Sequence, residues 1–557
     1  MRQRNFKFVT LTSLALLILA LTGPAQAGWA SNIQEQADSG LQGISILSST
    51  PLPSIEDIPL PPNTPNLIDR AVVAGEIDEQ TAYLYLAYAL SNDPRLPEAY
   101  RGSAPWDGTL PLLRLREAAR DMPAGEIRGI IEAVLTGACS SSTGGLGNIR
   151  NSTHFHIQYG TFGAGLTIDD YVTSLEGAWD KEINDFGWAA PPVLASNPPP
   201  GNRYHVRIDN LGSGLYGFVS SSGAHAGFVG DNPNTAWNDQ DAYASCMALN
   251  RDYSGFPSTP QASLDSTTAH EFNHSIQFGI GALTGQKVPD DSFVEGGATW
   301  MEDEVYDSAN DNYNYLWPSF TRCMGQYTLS PYPYWITFRG MLERFNAGAA
   351  GGSEEVMQDF WELTSQGISG NLVALNTALA NKGASLAGAY HNYAIAVKFN
   401  KACSGGYGYP YCLEEGPQYV AAQGATSLTG SIAAVGGNYN GNVQDNYALN
   451  WVGLPISGYY NVTVENNSGG GQLRASVVCN TGTSLIVSPL LPILGAGQEF
   501  TLHAFNSSGC TQVVAVITNQ AQTAENPSTC TSRSYQLRTE TATFVGYIPF
   551  IPYDTIP

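Results

Sequence analysis

Charge is scarce in this sequence. Only 13% of its 557 residues are Asp, Glu, Lys or Arg, and the balance is lopsided, with 25 basic against 49 acidic residues and a formal net charge of -24. Such a chain is a poor partner for nucleic acid or for anionic membrane surfaces, and its solubility has to rest on Gly, Ser, Thr and Asn. Histidine is rarer still, with 8 in the whole chain. None of the 8 cysteines is spaced as a CxxC metal knuckle. After residue 21 no segment comes near the roughly 20 apolar residues that a transmembrane helix requires. No internal repeat points to a solenoid.

What is present begins with export. Residues 1–27 carry a basic start (Arg2, Arg4, Lys7), an apolar run from Val9 to Leu21 and the small-residue stretch Ala25-Gln26-Ala27, the pattern of a cleaved signal peptide. No cysteine follows the run to take a lipid. The expected product starts near Gly28 and is secreted, either free or associated with the cell surface. Its even set of cysteines is expected to form disulfides. Cys403 and Cys412 should close a short loop, and at least one pair should form among Cys479, Cys510 and Cys530. With 43% hydrophobic residues, the chain has material for about three domains.

Residues 28–66 are proline-rich (SSTPLPSIEDIPLPPNTPN) and read as an extended linker. Residues 67–140 show helical spacing: in DEQTAYLYLAYAL, Asp78 is an N-cap candidate and Ala82, Tyr85, Leu86 and Ala89 share one side. This block shows no obvious chemistry and reads equally as a small helical domain or a removable propeptide. Over residues 150–420 strands come first and helices after. In THFHIQY, Phe155, Ile157 and Tyr159 face one way while His154, His156 and Gln158 face the other, the period of a half-buried strand. An amphipathic helix from Ile168 to Phe186 follows, then the strand-like RYHVRID, LYGFV and YASCMALN, and later the helical WITFRGMLERF and VMQDFWELT. That order predicts an α+β domain with a mixed sheet. From 426 to 557, GYYNVTVEN, GQLRASVVC, QEFTLHAFN and TQVVAVITN alternate between Gly, Asn and Ser turns and predict an all-β sandwich.

One stretch carries chemistry: TAHEFNHSI, Thr268 to Ile276. On a helix, positions i and i+4 lie about 40° apart, so His270 and His274 project from one face and can share an ion. Glu271 lies about 100° round from His270, placed to hold a water beside that ion rather than to bind it. Ala269, Phe272, Ile276 and Ile280 form a separate core face, and Asp265 or Ser266 is the N-cap candidate. This is the HExxH pattern of zinc peptidases. Two imidazoles and one carboxylate leave a fourth position on Zn²⁺ for a water whose pKa falls to about 7, and Glu271 takes its proton as general base. Gln277 and Ile280 stand where a three-histidine motif needs Gly and His, so the third ligand has to come from elsewhere. Downstream, SFVEGGATWMEDEVYD carries an apolar helical stripe (Phe293, Val294, Gly297, Ala298, Met301, Val305) with Glu295, Thr299 and Glu302 on another face. Twenty residues separate His274 from Glu295 (295 - 274 - 1), room for a loop and a returning helix that Gly296, Gly297 and Ala298 let approach closely.

HExxH, a loop of this length and then E-G-x-A resembles the gluzincin peptidases, the thermolysin-like superfamily, in which the second helix supplies a glutamate ligand. The resemblance implies a zincin-like catalytic domain and one catalytic Zn²⁺ held by His270, His274 and Glu295, with Glu271 as base and Glu302 as the alternative ligand. More narrowly, HFHIQY, the helix around Trp179, ALNRDYSGFPST, AHEFNHSIQFG and EGGATWMEDEVYD are similar to a group of secreted bacterial metallopeptidases with a C-terminal β-sandwich, over roughly residues 150–400. The family's acidic residue four positions after the glutamate ligand, which orients a histidine, is Thr299 here, and that leaves the task to Glu302 or another acid. For the oxyanion-stabilising residue the candidates are Tyr332, Tyr334, His391 and Tyr393, with Tyr334 preferred because it opens the WITF helix. His154 and His156 could share an ion, but an exposed strand face explains them more simply. DNPNTAWNDQD and DSANDNYN offer oxygens to Ca²⁺ but lack EF-hand spacing and read more simply as turns.

The expected function is hydrolysis of peptide bonds in a protein or peptide substrate by a secreted zinc endopeptidase. One rival is a cell-surface binding or adhesion protein that keeps the scaffold without turnover, and intact Glu271 speaks against it. The other is a zinc hydrolase of a non-peptide bond, which an extended cleft beside an edge strand would argue against.

Overall fold

The computed structural model describes residues 62–542 apart from 141–145, 164, 213, 285–289, 317–321, 325–330, 346–351, 368–369, 469 and 523–529. The signal-peptide segment and most of the proline-rich stretch lie outside the described residues. Four helices come first: α1 (Thr64–Val73), α2 (Glu79–Leu90), α3 (Thr109–Asp121) and α4 (Glu126–Gly137). α1 begins inside the stretch expected to be extended linker. Pro65 sits in its first turn, where the missing N–H costs nothing, and Asn63 Oδ1 accepts the Asn66 N–H at 2.9 Å. Asp78 caps α2 through the Thr81 N–H at 2.8 Å, in keeping with its expected role. Ile68, Leu86, Leu115 and Ile131 pack the four helices together, and their core continues into Leu215, Phe218 and Ala248 of the adjoining sheet.

That sheet contains β1 (Asn148–Asn151), β2 (Phe155–Tyr159), β3 (Tyr204–Asp209), β4 (Gly217–Ser220) and β7 (Cys246–Asn250), in the spatial order β1-β2-β3-β7-β4; β5 (Gly227–Gly230) and β6 (Ala242–Ala244) pair separately. β2, β3 and β7 are parallel, while β1 and β4 run antiparallel at the two edges. Phe155 and Ile157 are buried, as the alternation implies, but His156 is buried as well. The expected exposed face is absent because β2 is an inner strand beside a parallel neighbour, and such strands are covered on both sides. His156 packs against His205 and bonds Asn151, and His154 stacks on Trp179 with ring centroids 4.2 Å apart.

α5 (Ile168–Trp179) links β2 to β3, and after β7 come α6 (Pro260–Gly279) and α7 (Asp291–Val305), packed side by side. α6 starts earlier than its expected cap. Thr259 Oγ1 accepts the Ala262 N–H and Pro260 opens the first turn, so Asp265 and Ser266 are interior, and Asp265 accepts hydrogen bonds from Ser174 and Gln261 instead. Helices α8 (Trp335–Leu342), α9 (Ser353–Ser365), α10 (Asn371–Asn381), α11 (Leu386–Phe399) and α12 (Gly416–Gln423) follow. The glycines of α7 serve these later helices and not α6: a Cβ at Gly296 would meet Tyr334 Cβ at 2.8 Å, and one at Gly297 would meet Trp361 at 3.2 Å. With Glu295 facing α6, the next two positions turn about 100° and 200° away from it.

The remaining strands are β8 (Gly430–Ser431), β9 (Asn438–Gln444), β10 (Ala448–Gly453), β11 (Tyr459–Asn466), β12 (Leu473–Asn480), β13 (Leu485–Val487), β14 (Leu491–Leu494), β15 (Glu499–Asn506), β16 (Gln512–Asn519) and β17 (Ser532–Thr541). They form two sheets, one ordered β13-β12-β16-β10-β8 with β14 beside β12, the other β15-β11-β17-β9. Val462, Val464 and Leu537 of one sheet share a core with Val477 and Ile517 of the other. The protein is therefore of mixed α/β class, with helices and strands largely segregated along the chain. Disulfides join Cys139–Cys246, Cys323–Cys530, Cys403–Cys412 and Cys479–Cys510. The last two match the expected local pairs, and four such bonds fit an oxidising compartment. No helix among the described residues is long and apolar enough to cross a membrane.

His391 on α11 is buried against the two-sheet region, with Nδ1 2.9 Å from Thr518 Oγ1 and Nε2 3.0 Å from Ser476 Oγ. Burial, helped by the charge of Arg474, lowers its pKa to about 3. The unfolded chain takes up a proton below a pH of about 6.5 and the folded one does not, so stability present above that pH is lost as the pH falls. Between pH 6.5 and 5 the wild type should lose up to about 2 kcal/mol more than His391→Gln in urea unfolding. Equal losses would mean that His391 is not the proton-sensitive group.

Candidate metal centre

The facing surfaces of α6 and α7 are polar in a place where packing alone would ask for apolar side chains. His270 and His274 bring their Nε2 atoms to 3.1 Å from each other, and Glu295 Oε2 from α7 lies 3.0 Å from the first and 3.6 Å from the second. Tetrahedral ligands at about 2.0–2.2 Å from a zinc ion stand about 3.3–3.6 Å apart, so the three atoms lie within a few tenths of an ångström of the face of a coordination tetrahedron. Asp107, from the turn before α3, adds a fourth group, and one donor atom from each of Asp107, His270, His274 and Glu295 lies within 4.8 Å of the others. All four residues are buried. Among the described residues no second such cluster of three or more His, Cys, Asp or Glu side chains occurs.

Neighbouring side chains set the ring orientations. His270 Nδ1 lies 2.8 Å from Glu302 Oε1, and His274 Nδ1 lies 2.9 Å from Gln277 Oε1. Donation from Nδ1–H to those oxygens turns both Nε2 atoms to the cluster, where binding an ion would require them to be free of protons. The Thr299 hydroxyl is buried without a hydrogen-bond partner, so Glu302 and not Thr299 orients His270.

Glu271 stands beside these atoms. Its Oε2 accepts a hydrogen bond from Thr109 Oγ1 at 3.1 Å, while its Oε1 and Asp107 Oδ2 are buried with no hydrogen-bond partner. Burial pushes the Glu271 carboxyl well above the usual carboxylate range, and the charge of Asp107 adds to that. Burial acts the same way on Glu295, but His274 and His270 outweigh it and hold that carboxyl down to about 2. The cleft at this point is lined by Asp107, Tyr216, His270, Glu271, Tyr315 and Tyr332 among others, with no Lys or Arg among the described lining residues. Asp107, Glu271, Glu295 and Glu302 thus face only two imidazoles. An uncompensated buried charge costs several kcal/mol, and a divalent cation among these groups removes the surplus. The donor set fits a metal ion.

Edge strand β4 runs along the same cleft. At Gly217 a side chain has no room, since its Cβ would meet Glu271 Oε1 at 2.8 Å and Ala248 O at 2.9 Å. Of the residues singled out in the sequence, His270, His274 and Glu295 come together, with Glu271 next to them. Tyr334 does not reach the cluster. It lies on a 3₁₀ turn, Tyr332–Tyr334, where side chains two apart diverge by about 240°. Its hydroxyl donates to Cys323 O at 2.9 Å, whereas Tyr332 lines the cleft and its hydroxyl accepts the Asp107 N–H at 3.1 Å. Tyr393 accepts from Thr337, and His391 lies against the two-sheet region. The DNPNTAWNDQD loop closes on itself: Thr235 Oγ1 and Trp237 Nε1 donate to Asp239 at 2.7 and 2.6 Å, and Asp231 accepts the Asp239 N–H at 3.0 Å.

Filling the cluster should stabilise the fold. Zinc supplied at about 100 times its Kd should add about 2.7 kcal/mol, seen as a rise in Tm that a chelator reverses and His274→Ala abolishes. A Tm indifferent to metal would remove the metal reading.

No family model matches this chain, and no curated protein does. Among solved structures, the crystal structure of PirA is similar over 18% of this chain and 93% of its own, at 13% identity and a TM-score of 0.14. The structure of infectious bursal disease virus Gx strain is similar over 19% of this chain and 28% of its own, at 11% identity and a TM-score of 0.13. Both scores are too low for the likeness to carry any argument about fold or function.

Proposed function

We propose that this protein is an exported zinc-dependent endopeptidase of the gluzincin type, acting on protein or peptide substrates. The observation that supports this most is the placement of Glu271 beside the converging donor atoms of His270, His274 and Glu295, under the antiparallel edge strand β4. A mixed sheet with such an edge, an HExxH helix beneath it and a second helix bearing the glutamate is the arrangement that the zincin reading requires. Its four disulfides agree with export.

His270, His274 and Glu295 would hold the ion. Zn²⁺ there supplies Lewis acidity, polarising a carbonyl and lowering the pKa of a coordinated water from 15.7 to about 7. The chain's own residues do the rest. β4 offers its outer edge to an extended peptide as an added strand. Glu271 accepts a proton from the attacking water and returns it to the leaving nitrogen. Tyr332, facing the cleft, is placed to donate its hydroxyl to the developing oxyanion, the role first assigned to Tyr334. Glu302 keeps His270 in one tautomer throughout.

The test compares zinc content and casein hydrolysis in the wild type and in Asp107→Asn, each with and without Glu271→Gln. About one zinc per chain should be retained in all four, with Glu271→Gln lowering cleavage by about 10²–10⁴-fold wherever cleavage is seen. Zinc bound in every form with no cleavage in any would end the peptidase reading.

A further inference from the structure

We infer that residues 106–109 plug the metal centre, so that the chain as folded is a latent form in which Asp107 takes the ligand position that catalysis needs open. What is held latent rests on the peptidase reading. The plug itself is a matter of geometry.

Catalytic zinc sites keep three protein ligands and one open position, whereas sites closed by four protein ligands are structural. Here the side chain of Asp107 joins His270, His274 and Glu295 as a fourth buried donor. It comes from the helical region that otherwise carries no chemistry. Thr109 N–H fixes Asp107 Oδ1 at 2.7 Å, while Oδ2 is buried with no hydrogen-bond partner. A cation held among Asp107, Glu271 and Glu295 would relieve the repulsion between these buried carboxyls.

The same four residues engage every other part of the proposed machinery. Trp106 N–H donates to Gly214 O at 2.7 Å, Tyr216 N–H donates to Trp106 O at 3.0 Å, and Gly108 N–H donates to Gly217 O at 3.0 Å. Residues 106–108 therefore lie as a short added strand, parallel to the chain at Leu215, on the edge that a substrate would use. Thr109 Oγ1 donates to Glu271 Oε2 and accepts the Val219 N–H at 2.9 Å. The Tyr332 hydroxyl is taken up by the Asp107 N–H. The ligand position and the edge strand are occupied, and Glu271 Oε2 and the Tyr332 oxygen each already accept a hydrogen bond from the same segment.

The plug is firmly seated. Trp106 is buried among the N-terminal helices. Arg116 on α3 donates to Ser221 Oγ at 2.6 Å, Arg114 reaches Asp291 at the start of α7 at 3.4 Å, and Cys139–Cys246 ties the far end of the helical region to β7. Access to the metal then requires that residues 106–109 leave β4, and the apparent affinity of any incoming ligand falls in proportion to the fraction of molecules in which they have left.

The experiment replaces zinc by cobalt(II) in the full chain and follows its visible spectrum during titration with acetohydroxamate, for wild type, Asp107→Ala and Asp107→Asn. Asp107→Asn keeps the volume and the acceptor for Thr109 N–H, so it answers should the alanine variant misfold. If the plug is closed in about 99% of molecules, the wild type binds the hydroxamate about 100-fold more weakly than either variant. Casein cleavage should rise in the same variants. Wild-type binding within about threefold of the variants overturns the plug. Loss of cobalt from both variants also overturns it, by making Asp107 an integral ligand of a structural site, and so does a wild type that binds no cobalt. Variants that bind hydroxamate but cleave nothing leave the plug standing and remove the peptidase reading instead.

Discussion

Negative charge gathered where water is scarce is the constraint on which this cleft depends. Asp107, Glu271, Glu295 and Glu302 are all buried around two imidazoles, and no Lys or Arg is among the described residues that line the adjoining cavity. Such a set repels itself when ionised, and a cation among its oxygens relieves that repulsion. Its members come from three separate parts of the chain, so a cation there would also cross-link the N-terminal turn, α6 and α7.

The scaffold explains how the groups can be held so close. α6 is buried from Ser263 to Gly279 on nearly every face, with Phe272 and Ile276 in the main core, His270 and His274 turned to α7, and Glu271 turned to β4 and Thr109. Gly217 lets β4 lie directly on Glu271, and Gly296 and Gly297 let α8 and α9 press on the far side of α7. Farther out, the two-sheet region is joined to the helices by Cys323–Cys530, by the buried His391 and by Trp451 Nε1 donating to Ala394 O at 2.8 Å. The N-terminal helices are joined as closely: Leu110 and Leu113 of α3 belong to the main core. These joints hold the cleft between elements that are far apart in sequence.

Reading by periodicity served well wherever the cause was local. The runs from Tyr459 to Asn519 are strands, and WITFRGMLERF and VMQDFWELT are helical. It erred where a choice lay between equivalent local options. Thr259 and not Asp265 caps α6, because Pro260 fixes the first turn and Asp265 has Ser174 as a partner. His156 fits an exposed face by alternation alone, yet it is covered because β2 is an inner strand. Tyr332 and Tyr334 are indistinguishable by type and differ only in which side of a 3₁₀ turn faces the cleft.

The sequence by itself determined that His270 and His274 share a helix face with Glu271 turned aside, because a spacing of four residues on an α-helix permits nothing else. It also determined that Glu295, Thr299 and Glu302 lie on one side of the next helix. Only tertiary structure decided that Glu302 reaches His270 while Thr299 reaches nothing, that Tyr332 lines the cleft, and that Asp107 enters the cluster from a region without visible chemistry. The physical reason is the range of the interactions. Helix and strand periodicities are written over a few residues. The meeting of Asp107 with His270, by contrast, depends on how the N-terminal helices dock along β4, and no local pattern encodes that.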